Sequence, residues 1–135
     1  IYEAPETPFV ASSVGTTNLL NGTVGGPDGE PAEIACAGTV MRTSSLRGKV
    51  GDGVVLSLRP EALRLLAPGE AALPGWATLS GTLGDIEYLG PVTRFSVTLA
   101  DGALLHLMAL APPEMSGAVM VSYDPRRVVV MGAAP

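Results

Sequence analysis

The chain has very little of the side-chain chemistry on which enzymes and metal proteins depend. Among its 135 residues there is one histidine, His106, and one cysteine, Cys36. A lone cysteine cannot form a disulfide within the chain, which fits a reducing compartment. Two such isolated residues also provide no cluster with the spacing of metal ligands. We therefore expect neither a metal site nor a catalytic set in this chain.

His106 and Cys36 are themselves predicted to be structural. His106 lies between Leu105 and Leu107 in an apolar segment, where a strand residue is a better interpretation than a catalytic base. Cys36 lies among small residues and is predicted to belong to the core. The chain also lacks a glycine-rich loop ending in Lys-Ser or Lys-Thr. We therefore expect it to hold no cofactor and to have no enzyme activity of its own.

Basic residues and long apolar runs are scarce too. Eight Lys and Arg stand against thirteen Asp and Glu, for a formal net charge of −5, and the aromatic residues are one Trp, three Tyr and two Phe. Proteins that hold nucleic acid need many cations for the phosphates and rings for the bases, so we expect no nucleic-acid partner. No run approaches the roughly 18 apolar residues of a membrane-spanning helix, so any membrane contact is expected through a partner protein.

Glycine and proline are abundant instead, with 17 and 12 residues, and they divide the chain into short segments. The apolar runs between them predict strands at residues 34–41, 54–58, 76–83, 93–99, 104–110, 119–123 and 128–131. Asp101-Gly102 predicts a hairpin turn, and Asn21-Gly22 is interpreted as another turn rather than as a glycosylation site. Residues 7–15 predict one short N-terminal helix. This pattern is typical of an all-β fold, either a small antiparallel barrel or a pair of barrels.

One segment of the chain is echoed later. Residues 54–60 and 119–125 each end in a proline, Pro60 or Pro125, with a serine three residues before it. A second echo, in the same order, links residues 22–24 with residues 81–83. The two echoes predict an internal duplication, with similar units at about 16–70 and 76–135.

Two polar groups are candidate contact sites. Arg59 and Glu61 flank Pro60 at a predicted strand end, while Asp85 and Tyr88 lie in a charged segment that is predicted to be a corner. In one interpretation these side chains satisfy turn backbone and each other. In the other they line a contact with a small ligand or with another subunit. The sequence leaves both interpretations open.

The motifs, taken in order, resemble a known family. The opening Ile1-Tyr2-Glu3-Ala4-Pro5 and the later Asn18-Leu19-Leu20 resemble the exit from an ATPase domain. Arg59-Pro60-Glu61 resembles an Arg-Pro-Glu motif, and residues 85–90 with the following hairpin resemble a Tyr-Leu-Gly segment. Together they are similar to the C-terminal regulatory domain, called TOBE, of ATP-binding subunits from bacterial ABC importers of the spermidine/putrescine, iron and maltose type. The resemblance spans nearly the whole chain.

The resemblance implies a TOBE-type β-barrel domain related to the OB fold over residues 16–135. Residues 1–15 would lead out of an ATPase domain that this sequence lacks, and a first residue other than Met also predicts a piece of a longer protein. ATP and Mg²⁺ would belong to the missing domain, as would contacts with membrane permease subunits at the inner face of the plasma membrane, which places the protein in the cytoplasm.

The same resemblance implies a homodimer, because domains of this family commonly pair two ATPase subunits. A mean hydropathy of +0.36 favours such pairing, with apolar faces buried between copies. The expected function is therefore a regulatory and dimerisation domain of an importer ATPase. The alternative is a barrel-type module that binds a small ligand, either an oxyanion or a metabolite.

Overall fold

The computed structural model of the chain describes residues 17–25, 32–44, 49–111 and 116–133. It contains short strands and two 3-10 helices, the first at Pro60–Ala62 and the second at Pro125–Arg127. The strands are β1 (Asn18–Val24), β2 (Ala32–Cys36), β3 (Thr39–Thr43), β4 (Gly53–Leu58), β5 (Leu63–Leu66), β6 (Ala77–Leu89), β7 (Val92–Thr98), β8 (Leu104–Ala109), β9 (Ala118–Tyr123) and β10 (Val129–Ala133). The all-β class is confirmed. The predicted helix at residues 7–15 lies outside the described residues.

The strands form two antiparallel five-stranded sheets with matching strand orders. The first sheet has the order β10-β4-β1-β2-β3, and the second has the order β5-β9-β6-β7-β8. Placing the two orders side by side shows which strands are equivalent: β1 and β6, β2 and β7, β3 and β8, and β4 and β9. The outer strands β10 and β5 form the fifth equivalent pair. These two outer strands are exchanged, because β5 pairs with β9 and β10 pairs with β4. Each sheet therefore receives its outer strand from the other half of the sequence.

The register of the central strands shows which residues hold the same place in the two sheets. In the first sheet, Asn18 on β1 lies opposite Leu58 on β4. In the second, Ala77 on β6 lies opposite Tyr123 on β9. Asn18 and Ala77 are therefore equivalent, as are Leu58 and Tyr123.

Glycines hold matching places inside the two central strands. A Cβ added to Gly22 on β1 would lie 2.6 Å from Ile34 Cγ2, and a Cβ added to Gly81 on β6 would clash with Val97 Cγ1. Both strands need glycine here because the neighbouring strand approaches closely. The prediction of a turn at Asn21-Gly22 is wrong, since the pairing of β1 with β4 continues through both residues.

The predicted corner at Asp85 and Tyr88 is also wrong. Both residues lie within β6, which is 13 residues long and extends to Leu89. The strand contains a register irregularity between Leu83 and Ile86. Such a bulge bends a strand without removing it from its sheet, so the charged segment stays extended.

The run at residues 34–41 is two strands rather than one. Ala37 and Gly38 have φ values of 54° and 76°, which lie in the left-handed region. Residues with positive φ at both central positions form the tight turn that joins antiparallel strands. The alternation that predicts a single strand therefore continues across a hairpin, from β2 into β3.

One hydrophobic core runs through both sheets. Its most buried side chains come from both halves of the sequence and include Ile34, Leu56, Leu105 and Val121. Cys36 belongs to this core, as predicted. Because the outer strands are exchanged and the core is shared, separating the two halves of the sequence would expose apolar surface and also break the pairing of β5 with β9 and of β10 with β4.

The edge strands lie against the 3-10 helices. Strand β8 contacts the first 3-10 helix and β5, and strand β3 contacts the second 3-10 helix and β6. Within the described ranges the hydrogen-bonded strand order is open at β3 and at β8. Closure of either sheet into a barrel therefore stays a prediction.

Candidate functional site

The two matching ends of the sheets, where a 3-10 helix meets an edge strand, are the candidate sites. Each 3-10 helix begins with a buried proline, which is separated from the end of β4 or β9 by one residue. His106 in β8 lies opposite Ser96, and Arg42 in β3 lies opposite Glu33. These matching registers make His106 and Arg42 equivalent. The first corner consists of Asn18, Pro60 and His106, and the second corner consists of Ala77, Pro125 and Arg42.

The structure brings the first predicted pair of site residues together. Arg59 Nε donates to Glu61 Oε2 at 2.7 Å. The two side chains are 43% and 49% exposed, so their pairing contributes no more than about 1 kcal/mol to stability. Partial burial would raise the pKa of Glu61, but the hydrogen bond from Arg59 and the charge of Arg127 lower it. These two charges satisfy each other beside the first 3-10 helix.

The second 3-10 helix has a carboxylate where the first has a guanidinium. Asp124 Oδ1 accepts from the backbone N–H of Arg126 at 3.0 Å, and Oδ2 accepts from Arg126 Nη2 at 2.9 Å. These hydrogen bonds lower the pKa of Asp124 and raise that of Arg126. Asp124 therefore caps its helix, whereas Arg59 makes no such capping bond in the first.

The second predicted pair does not form a cluster. Asp85 is exposed beside the register irregularity of β6. Tyr88 lies opposite Thr93 and is 71% exposed. Within the part of the chain that the structure describes, neither side chain makes a hydrogen bond or an ion pair. Both are therefore open to a partner.

In the first corner, the Asn18 side chain joins the two sheets. Its Nδ2 donates to the His106 carbonyl oxygen at 2.9 Å, and its Oδ1 accepts from the His106 N–H at 2.7 Å. Both backbone groups belong to an edge strand, which pairs with no further strand among the described residues. Burial and the nearby charge of Arg94 lower the pKa of the His106 imidazole, so the ring is neutral near pH 7.

The second corner satisfies the same backbone position with a different side chain. The Arg42 N–H donates to the hydroxyl of Tyr123 at 2.8 Å. Tyr123 is 1% exposed, and this burial raises its pKa despite the hydrogen bond from Arg42. Ala77, at the place of Asn18, has no polar side-chain atom. The Arg42 guanidinium binds Glu33 instead, with Nη1 at 3.0 Å from Oε2.

A cavity of about 520 Å³ opens at the second corner, between β3 and the start of β6. It is lined by Val40, Arg42, Gly75, Trp76, Ala77, Thr78 and Pro125. The sequence does not predict this site, because the lining residues come from three separate segments and none belongs to a catalytic motif. The one available signal is Trp76, the single tryptophan of the chain, which stands between turn residues and a strand.

Metal and thiol chemistry find no support in the described segments. No three His, Cys, Asp or Glu side chains there lie close enough together to hold a metal ion. Burial, with the charge of Asp101, raises the pKa of the Cys36 thiol to about 11. A thiol with that pKa stays protonated and unreactive at neutral pH. No helix in these segments has the length and apolar character needed to cross a membrane.

The two antiparallel sheets define an OB-like all-β domain. A solved structure of the cytoplasmic molybdate-binding protein ModG, with molybdate bound, matches it with a TM-score of 0.69 over 87% of this chain and 96% of that one. The identity is 18%, so the likeness concerns the fold. The TOBE domain model matches residues 56–131, and the chain belongs to the TOBE domain family. The resemblance read from the ordered motifs is confirmed.

Relatives of the chain include several proteins named spermidine/putrescine import ATP-binding protein PotA. The chain is 34% identical to the one from Rubrobacter xylanophilus, over 98% of this chain and 36% of the relative. It is 36% identical to one from Pseudomonas aeruginosa, over 80% of this chain and 30% of the relative. For Frankia alni the identity is 37%, over 76% and 24%. The chain thus spans about a third or less of the curated relatives it matches.

Proposed function

We propose that the chain is the C-terminal regulatory and dimerisation domain of the ATP-binding subunit of an ABC importer. The observation that carries this is the 34% identity, over 98% of the chain, to an import ATP-binding protein. In this function, ATP and Mg²⁺ bind in the rest of the protein, and hydrolysis there drives uptake of a solute. Permease subunits contact that part at the inner face of the membrane, and the protein is cytoplasmic.

Exposed apolar side chains at one end of the second sheet support the dimerisation role. Tyr88, Leu89 and Leu110 are 71%, 44% and 83% exposed. The pairing of β6, β7 and β8 gathers them at one end, because Tyr88 lies opposite Thr93 and Thr93 lies opposite Ala109. Exposed apolar side chains at one end of a sheet suit a contact with another molecule. In this function a second copy covers that end of the sheet.

Regulatory contacts would use the predicted polar residues beside the first 3-10 helix and along β6. Arg59 and Glu61 are half exposed beside the first 3-10 helix, and Asp85 and Tyr88 are exposed along β6. A partner can bind these three charges and the Tyr88 hydroxyl at little desolvation cost, since none of the four side chains is buried.

The dimerisation role is tested with Leu110→Glu in the longer protein that contains this chain. A carboxylate placed in an apolar contact is costly to bury, so the variant should shift the dimer toward monomer in sedimentation velocity. Val50→Glu is the matched control, because Val50 is 65% exposed and lies in the turn before β4. Identical dimerisation of both variants, or a wild-type protein that stays monomeric with and without ATP, would remove this role.

The transport role makes a separate demand on the rest of the protein. It must contain a glycine-rich phosphate loop ending in Lys-Ser or Lys-Thr, because such a loop cradles the phosphates of ATP. It must also hydrolyse ATP in a way that depends on the permease subunits. A protein without this loop would rule out the importer role whatever its oligomeric state.

A second candidate function is a small-ligand binding module. It is favoured by the fold likeness to a molybdate-binding protein and by the cavity at the second corner. It predicts a thermal shift with one solute from a panel of molybdate, phosphate and polyamines. A regulatory domain that responds to protein partners alone would show none.

A further inference from the structure

We propose that the cavity at the second corner binds a small uncharged molecule that carries a primary carboxamide. The bound carboxamide donates to the Arg42 carbonyl, as the Asn18 side chain donates to the His106 carbonyl in the first corner. This site is separate from the dimer contact and from ATP hydrolysis, and the proposal does not depend on the importer role.

The first corner shows which chemistry this place in the fold accommodates. The Asn18 carboxamide donates to the His106 carbonyl at 2.9 Å and accepts from its N–H at 2.7 Å. A carboxamide suits this position because its donor and acceptor lie side by side in one plane. Asn18 is 4% exposed, so the group lies in the interface between the two sheets. Ala77 and Arg42 hold the equivalent positions in the second corner.

The second corner has the equivalent backbone carbonyl without that donor. A residue in an antiparallel pair directs its N–H and its C=O to the same side of the strand. The Arg42 N–H points away from β2 to reach the Tyr123 hydroxyl. The Arg42 carbonyl therefore points away from β2 as well, on the side where β3 contacts β6. Ala77 offers no side-chain donor to it, and both residues line the cavity.

The walls of the cavity favour an uncharged ligand with an apolar body. Apolar surface is supplied by Val40, Trp76 and Pro125. Among the described residues of the lining, Arg42 is the one that carries a charge, and its guanidinium is already held by Glu33 at 3.0 Å. A cationic ligand would meet the Arg42 charge, and an anionic ligand would have to compete with Glu33. A volume of about 520 Å³ suits a molecule built on a single ring.

The chain has no spare carboxamide with which to fill this place itself. It contains two asparagines, Asn18 and Asn21, and no glutamine. Asn18 is bonded in the first corner, and Asn21 is exposed on the same strand, β1. A carboxamide in the second corner must therefore come from outside these 135 residues.

Nicotinamide is the probe for this site, because it combines one ring with an uncharged primary carboxamide. Ligand-detected NMR titration of the full-length protein that contains this chain should show saturable binding. N,N-dimethylnicotinamide lacks the N–H donors, and nicotinate carries a negative charge. The affinity of each should be lower than that of nicotinamide by about tenfold or more, because one unsatisfied hydrogen bond costs about that much.

Ala77→Asn places the first corner's carboxamide in the second corner. This variant should weaken nicotinamide binding by about tenfold or more, because its own side chain takes the ligand's hydrogen bond. Ala118→Asn is the matched control, since Ala118 is an exposed strand residue outside the cavity. It should bind as the wild type does. If Ala77→Asn fails to fold, Val40→Trp at a 45% exposed position of the cavity wall blocks the opening instead.

Three results would overturn the proposal: no saturable binding of nicotinamide, equal binding of nicotinamide and its dimethyl analogue, or unchanged binding by a folded Ala77→Asn or Val40→Trp protein. None of these readouts involves ATP hydrolysis or sedimentation. A failure of this site is therefore distinguishable from a failure of the importer role.

Discussion

The two corners hold equivalent places in matching sheets, yet they satisfy their edge strands by different means. In the first, the carboxamide of Asn18 on the central strand β1 bonds both backbone groups of His106. In the second, the hydroxyl of Tyr123 on β9 accepts from Arg42, and Ala77 leaves space beside it. The same backbone position is served by a short side chain from one strand or by a long one from the next.

The difference shows that the fold requires a hydrogen-bond partner for the edge-strand backbone in each corner but does not determine which residue provides it. A buried backbone N–H without a partner costs about 1–3 kcal/mol, so each corner needs a polar side chain. In the first corner the opposed pair is Asn18 and Leu58, and in the second it is Ala77 and Tyr123. Because Tyr123 is long enough to reach the edge strand from β9, the residue opposite it is free to be small. The cavity at the second corner follows from that exchange of roles.

The largest expected effect comes from removing the Asn18 side chain, which makes two hydrogen bonds with the His106 backbone. Asn18→Ala takes both partners from the His106 backbone and should lower the free energy of unfolding by about 2–4 kcal/mol. Asn21→Ala is the matched control, since Asn21 is an exposed residue of the same strand. Urea denaturation measures both variants. Equal losses in the two would show that the first corner does not depend on this carboxamide.

Local pattern predicts much of the fold and little of the corners. Strands β4, β7, β8 and β9 are marked by apolar runs that are bounded at one end by Pro60, by Asp101-Gly102 or by Pro125, and these signals act over a few residues. The exchange of β5 and β10 depends on which distant strand each one meets, and no local signal records that choice. The prediction of a turn at Asn21-Gly22 fails because that glycine is required by close packing against the distant residue Ile34, not by a turn.

The candidate site is predictable only where its residues are neighbours in the chain. The contact between Arg59 and Glu61 follows from their position on either side of Pro60. The second corner unites Arg42, Trp76 and Pro125 from three segments, so its cavity has no signature at any single place in the sequence. The internal echo is what relates the corners to each other once the register is known.

The next effect tests a place where the two sheets agree rather than differ. Gly22→Ala and Gly81→Ala should each lower the free energy of unfolding by about 1–3 kcal/mol, because the added methyl overpacks the sheet. The loss should be greater at Gly81, whose Cβ would lie 2.7 Å from the backbone oxygen of Thr98. Gly25→Ala is the control, with its nearest heavy atom at 3.9 Å. Thermal or urea unfolding in which all three variants match the wild type would contradict the close approach.

A smaller effect is expected from the second corner's hydroxyl. Tyr123→Phe keeps the ring and removes the acceptor of the Arg42 N–H, so it should cost about 1–2 kcal/mol, less than Asn18→Ala. Tyr88→Phe, at a 71% exposed position, is the control and should be near neutral. A loss at Tyr123 as large as that at Asn18 would mean that the two corners depend equally on one side chain.

The same hydroxyl gives the second corner a dependence on alkaline pH. Burial raises the pKa of Tyr123 above the value of about 10 that an unfolded tyrosine has. The uncharged hydroxyl therefore favours the folded state below pH 10, and this contribution is lost as the pH rises through the folded-state pKa. The stability difference between the wild type and Tyr123→Phe should shrink between pH 8 and pH 11. A constant difference over that range would show that Tyr123 does not ionise with a raised pKa.

The smallest effects are expected where the two 3-10 helices differ in charge. Arg59→Ala should change the free energy of unfolding by about 0.5 kcal/mol or less, because its pair with Glu61 is half exposed. Asp124→Ala should cost more, since it removes the cap on the Arg126 N–H. The lowered pKa of Asp124 means that its contribution is present near pH 7 and is lost as the pH falls below the usual carboxyl range of about 4. Urea denaturation at pH 7 and pH 3 should therefore separate the two variants at the higher pH and bring them together at the lower. If Arg59→Ala proved the more destabilising at pH 7, Arg59 would contribute more to stability than the Asp124 cap does. The proposal that Arg59 and Glu61 serve partner contacts would then fail.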